Sequence, residues 1–215
     1  KKDLLKDVIK HIDIKSYNST ELVDAMRNMS FTSRDTARAA DILMMMCKEK
    51  ECTNILTLAG STSAAGCMQV YVDMVRNKMI DVVVATGASI IDMDLFEALG
   101  FKHYIGEKEN VIPDTTLRDL YIDRIYDTYI DEEELQACDH TTFEIANMLE
   151  ARPYSSREFI YEIGKWLHEG NAVKKDSLIQ TCYECGVPIF VPAFSDSSAG
   201  FGIGKHQWER MQKAF

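Results

Sequence analysis

Apolar residues near the start of the chain recur at helical spacing. Leu4, Leu5, Val8, Ile9 and Ile12 fall three and four apart, which predicts an amphipathic helix over 3–29, restarted at Ser19-Thr20-Glu21-Leu22. Thr32-Ser33-Arg34-Asp35 resembles a capping box entering a helix that runs to Lys50. Met44, Met45 and Met46 sit in that helix and suit core or interface packing. The pattern then changes. Residues 54–59 form a short apolar strand, followed by a run of small residues over 60–66 and a helix over 67–78. Residues 80–85 form a continuous apolar strand of the kind buried on both faces of a parallel sheet. A second small-residue loop, Thr86-Gly87-Ala88-Ser89, leads into a helix through Leu99. This alternation is a βαβα unit.

Further on, 103–106 reads as extended and 121–129 as aromatic-rich, a candidate interface. Acids at 131–134 open a helix, where they favour its positive end. Pro153-Tyr154-Ser155-Ser156 starts a helix through Leu167, 176–185 is another helix, and 187–191 is another buried strand. That strand runs into a third small-residue loop over 192–202. No linker or repeat interrupts the chain. The fold class is α/β, a Rossmann-like parallel sheet flanked by helices and preceded by N-terminal helices, in one domain over 1–215.

Ligands in such sheets lie beyond the carboxyl ends of the strands, where these loops fall. Small residues let a backbone approach a phosphate closely, and amides at helix starts favour anions. Neither GxGxxG nor the P-loop pattern is present. The loops therefore admit a dinucleotide, or merely close packing of helices on the sheet. Asp92 and Asp94 follow the second loop and could hold a cationic amine or a ribose hydroxyl; they could equally serve a helix terminus. Asp196 could contact a ribose or close an Asx-turn. His206 is a candidate proton handler, while His103 and His140 join no pattern. Cys182 and Cys185 form a CxxC that closes a helix without a second ligand pair, so it reads as structural rather than redox or zinc-binding. Cys47, Cys67 and Cys138 read as small helical hydrophobes. No metal site and no Ser/His/Asp arrangement is visible.

Charge adds a preference among partners. With 24 Lys+Arg against 34 Asp+Glu the net charge is −10, which disfavours nucleic acid and favours cations. The charged start of the chain shows no signal peptide, no apolar run reaches the ~18 residues of a membrane span, and six cysteines are too sparse for a disulfide scaffold. The expectation is a reducing, cytoplasmic setting.

Leu58-Ala59-Gly60-Ser61 with Gly66, then Met79-Ile80-Asp81 leading to Thr86-Gly87-Ala88, resemble the deoxyhypusine synthase family. So do Val187-Pro188-Ile189-Phe190-Val191 leading to Asp196, the His103-Tyr104 turn and Arg152-Pro153-Tyr154-Ser155-Ser156. The resemblance runs from about Thr32 to the end and is nearest the bacterial and archaeal branch. It implies NAD-dependent transfer of the aminobutyl group of spermidine, as an imine, to an enzyme lysine and then to a lysine of translation initiation factor 5A. It also implies a homotetramer with sites between subunits. It places NAD at Gly60, Ser61, Thr62, Ser63 and Ala64, at Thr86, Gly87 and Ala88, and at Asp196. The family's acidic pair falls on Asp92 and Met93, with Asp94 as a substitute carboxylate for the polyamine. A further spermidine acid falls on Phe201, which cannot pair with an ammonium. The resemblance puts a Gly-Gly-Gly-Val segment and the catalytic lysine beyond residue 215, so it assigns no catalytic residue here, and Lys205 does not match that motif. Two rivals stand beside this reading. One is homospermidine-type transfer between small polyamines. The other is a non-catalytic NAD-binding or oligomeric scaffold, should the protein end near residue 215.

Overall fold

A computed structural model describes residues 1–107 and 111–213. Its N-terminal stretch is not the expected helix. Val8 bridges Tyr104 in antiparallel fashion, Ile105 N donates to Asp7 O (2.7 Å), Ile9 N to His103 O (2.9 Å) and Ile12 N to Gly66 O (2.9 Å). The helical spacing is real, but Val8, Ile9, Ile12 and Ile14 are β-branched. Their stiff side chains favour extended backbone when a strand offers partners. A 3₁₀ turn over Ile14–Ser16, capped by Asp13, leads to α1 (Thr20–Met26). Helix α2 (Phe31–Lys48) starts from Ser30 without a side-chain cap, so the box at 32–35 does not form. The Thr36 hydroxyl instead donates to Thr32 O (2.8 Å). This helix packs chiefly on α1 and buries only Ala37; Met44, Met45 and Cys47 are exposed, the last against expectation.

Strand β1 (Ile55–Leu58) leads through a π-helical turn (Ser63–Cys67) to α3 (Met68–Arg76) and β2 (Val82–Ala85). A longer π-helical segment (Ala88–Leu95) continues into α4 (Phe96–Ala98). Then come β3 (Tyr104–Ile105), α5 (Asp114–Asp119), β4 (Ile122–Ile125), β5 (Thr128–Asp131) and α6 (Glu132–Met148). The remaining elements are α7 (Ser156–Trp166), α8 (Leu178–Cys185), β6 (Ile189–Phe190) and α9 (Ser198–Lys213). Strands β1, β2 and β6 form a parallel sheet in that order, with Ile55 beside Val82 and Val83 beside Ile189. Helices flank it, as the α/β reading expects. Its core gathers Leu58, Val83 and Ile189 from the strands with Val72, Ile163 and Ile179 from α3, α7 and α8. The aromatic stretch at 121–129 became an antiparallel sheet of order β3-β5-β4, with Tyr121 and Tyr126 left exposed.

Several helix starts follow local chemistry. Asp131 accepts from Glu133 N at the head of α6, and Ser155 and Glu158 form a reciprocal capping box for α7. Gly186, at φ 71°, ends α8 just after Cys185. The third small-residue run departs from expectation. Its residues from Ser198 onward are helical, and Gly202 lies against Thr142 of α6 with no room for a Cβ. There, small residues serve helix packing.

Candidate functional site

Because β1, β2 and β6 are parallel, residues 59–67, 86–95 and 191–197 leave the sheet at one edge. Segments 63–67 and 88–95 pack together, and Thr86 N donates to Leu58 O (3.2 Å). At Gly87 a Cβ would stand 2.7 Å from Ser197 Cβ and 3.2 Å from Asp196 O, so the second and third loops touch through a missing side chain. Thr86 Oγ1 donates to Ser89 Oγ (2.9 Å), which fixes the turn. In the first loop Gly60 and Ser61 are both left-handed, at φ 73° and 60°. A Cβ at Gly60 would meet nothing within 4 Å, while the Ser63 hydroxyl is buried with no hydrogen-bond partner among the described residues. Thr62 Oγ1 receives the Tyr71 hydroxyl (2.7 Å), and Ala64 is buried. Thr86 and Asp196 are exposed and Ala88 is half-buried. The structure thus brings the three loops together. Along the described strands β2 lies between its neighbours and the winding does not reverse, so no switch-point crevice separates them. A hollow of about 320 Å³ between α7 and α8, lined by Arg157, Tyr161 and Pro188, lies at the start of β6 rather than its end.

The two acids after the second loop part company. Asp92 Oδ1 accepts Ser198 N (2.8 Å) at the head of α9. Burial, together with Asp139 and Asp196 nearby, pushes its carboxyl up to about 6 against the opposing Ser198 hydrogen bonds. Asp139, also raised by burial and bonded to the Ser198 side chain, joins it; its isolated position in α6 gave no signal in the sequence. Asp94 faces elsewhere. It is 1% exposed, and its two oxygens accept Leu178 N and Ile179 N (2.8 Å each) at the head of α8. Residues two apart on a helical turn do not share a face, so Asp94 is not a second arm beside Asp92. Phe201, on α9, is 76% exposed.

Other candidates resolve as follows. His206 meets Asn147 (2.6 Å), about 12 Å along α9 from Ser198. Among the described residues all six cysteines are free. Burial pushes the Cys182 thiol well above its usual range, which makes it a poor thiolate. His103, read as isolated, instead shares Glu97 with His11 and Lys174. No group of three His, Cys, Asp or Glu side chains among the described residues is arranged to hold a metal, and no described helix is long and apolar enough to cross a membrane.

A family model described as deoxyhypusine synthase matches residues 21–215. A deoxyhypusine synthase-like protein of Caulobacter vibrioides is 67% identical over 211 residues, covering 98% of this chain and 57% of the relative. A protein of the same description from Coxiella burnetii is 60% identical over 207 residues, covering 96% and 58%. The chain therefore spans less than two thirds of the length of these relatives. A crystal structure assigned to deoxyhypusine synthase from Entamoeba histolytica superposes with a TM-score of 0.61 at 20% identity, over 92% of this chain and 66% of that one, a likeness of fold.

Proposed function

The chain belongs to the deoxyhypusine synthase family, and from that premise we propose that the whole protein transfers the aminobutyl group of spermidine to a lysine of translation initiation factor 5A, with NAD as cofactor. One observation carries this reading: three loops meet at one sheet edge, and a raised carboxylate, Asp92, follows the second of them and faces the head of α9 beside the third. The first loop suits a dinucleotide, because it offers open space at Gly60 and a buried, unpartnered hydroxyl at Ser63. Gly60, Ser61, Thr62, Ser63 and Ala64, with Thr86, Gly87, Ala88 and Asp196, would hold it; when bound, the dinucleotide supplies a hydride acceptor. Asp92 and Asp139 supply negative charge for a protonated amine. A carboxyl near pH 6 can also take the proton that an amine must lose before the carbon beside it is oxidised. Asp94 serves this site indirectly, by anchoring α8. We place the protein in the cytoplasm as a homotetramer, where the exposed Met44, Met45 and Tyr126 would meet other subunits.

A second reading, transfer between small polyamines, is favoured by Phe201, which stands exposed where the resemblance puts an acid. The test is incubation of the full-length protein with NAD, labelled spermidine and either factor 5A or putrescine. Label on factor 5A supports the first reading and labelled homospermidine the second. NAD binding without turnover of either acceptor would leave a scaffold and overturn both.

A further inference from the structure

Glu97, on α4, is buried and joins His103, six residues on, to two distant parts of the chain. Its Oε1 meets His103 Nδ1 (2.9 Å) and its Oε2 meets His11 Nε2 (2.6 Å) and Lys174 Nζ. Burial alone would raise this carboxyl, but the two histidine hydrogen bonds and the Lys174 charge outweigh it and hold Glu97 well below the usual range. An ionised Glu97 needs donors, so His11 carries its proton on Nε2 and His103 on Nδ1. His11 belongs to the extended segment at 7–12, whose next residues lie on the first small-residue loop. Ile12 N donates to Gly66 O (2.9 Å), and Lys10 O sits 3.0 Å from where a Gly66 Cβ would stand. Gly66 is left-handed at φ 98°, a conformation only glycine adopts cheaply. Beyond the segment, Lys15 Nζ pairs with Asp73 Oδ1 on α3 (2.8 Å).

We propose that this segment is a strap that sets the shape of the first loop: Glu97, through His11, holds 9–12 against Gly66, making His11 and Glu97 positioning residues for residues 61–66 without touching a ligand there. Its functional consequence rests on the assignment of a dinucleotide to that loop. Its structural content does not.

The test uses the full-length protein with His11→Ala and the conservative His11→Gln, whose amide can still donate to Glu97. Hydrogen exchange is read by mass spectrometry over 61–67 and over α7 as a reference. Loss of a hydrogen bond to a buried charge is expected to speed exchange at 61–67 about tenfold in H11A, with α7 unchanged and H11Q near wild type. Calorimetric NAD titration is expected to show an approximately tenfold weaker Kd in H11A and an unchanged one for spermidine. Unchanged exchange at 61–67, or a uniform rise across the protein, would overturn the strap; an unchanged NAD Kd in a wild type that binds NAD would overturn its functional consequence. If H11A does not fold, H11Q and Glu97→Gln decide the same comparison. If the wild type binds no NAD, the dinucleotide reading falls and the exchange result alone decides the strap.

Discussion

Replacing Gly87 by alanine tests whether the second and third loops form one surface. Gly87 has ordinary right-handed helical angles, φ −56° and ψ −42°, so alanine adds no backbone strain. What it adds is a methyl group 2.7 Å from Ser197 Cβ, 2.8 Å from Ser197 Oγ and 3.2 Å from Asp196 O. The first two distances are well inside contact, and the loops must part. Overpacking of this kind costs about 2 kcal/mol. For a chain of this length that lowers the melting temperature by roughly 4–8 °C. Ser197→Gly removes both close atoms. It also loses the hydroxyl's bond to Phe194 O (2.9 Å), so alone it destabilises modestly. In the double variant the two closest atoms are gone and the carbonyl of Asp196 stays at 3.2 Å, so most of the alanine penalty should vanish. Thermal unfolding of the four proteins gives the double-mutant cycle, with a coupling of at least about 1 kcal/mol expected. Strict additivity, or a melting point unchanged by Gly87→Ala, would refute the contact and with it the converged site.

Three further outcomes follow from the carboxyl groups. Asp92→Asn should raise the KM for spermidine about tenfold and leave the NAD Kd unchanged in calorimetry, since its charge is assigned to the amine. Asp94→Ala should destabilise by about 2–3 kcal/mol in urea unfolding, through two orphaned amides of α8. Burial raises the Asp94 carboxyl from 3.8 to about 6, so its own contribution is complete below about pH 4 and lost as pH rises through 6; the penalty should therefore be larger at pH 5 than at pH 8, and the reverse order refutes the assignment. Partial desolvation and the neighbouring Glu132 push Asp123 up to about 7, so the folded state loses stability as pH rises through 7. Asp123→Asn should stabilise the protein at pH 8 but not at pH 4, by less than about 1 kcal/mol because water still reaches the Asp123 side chain, and thermal unfolding at the two pH values reads the difference.

The parallel sheet was legible because its evidence is local. Val82, Val83, Val84 and Ala85 are a continuous apolar run, and only a strand covered on both faces tolerates one. The start of α7 after Pro153 and the close of α8 at Cys185 were legible for the same reason: the structure sets them within a few residues, by the Ser155–Glu158 capping box and by Gly186. The strap was not legible. A spacing of three and four over Leu4 to Ile12 fits a helix, and what decides against it is the backbone of His103 and Gly66, far along the chain. The same holds for the Glu97 cluster, whose members come from three separate stretches around His11, 97–103 and Lys174, and for Asp139, which gains meaning only when Ser198 arrives beside it.

Asp92 and Asp94 show where the boundary between the two kinds of information falls. Sequence places both acids after a loop at a strand end, where either could meet a cation. Their spacing of two already means that a helical turn sends them to different faces. What it cannot say is which face looks toward the loops. That is decided by two other helix starts: Ser198, whose amide takes Asp92, and Leu178 with Ile179, whose amides take Asp94. Each acid satisfies an amide that a helix leaves unpaired at its first turn. Only Asp92 does so beside the converged loops, where Asp139 and Asp196 add negative charge that a helix cap does not require. The surplus of charge around one cap, rather than the presence of the acid itself, marks the side of the turn on which a polyamine would bind.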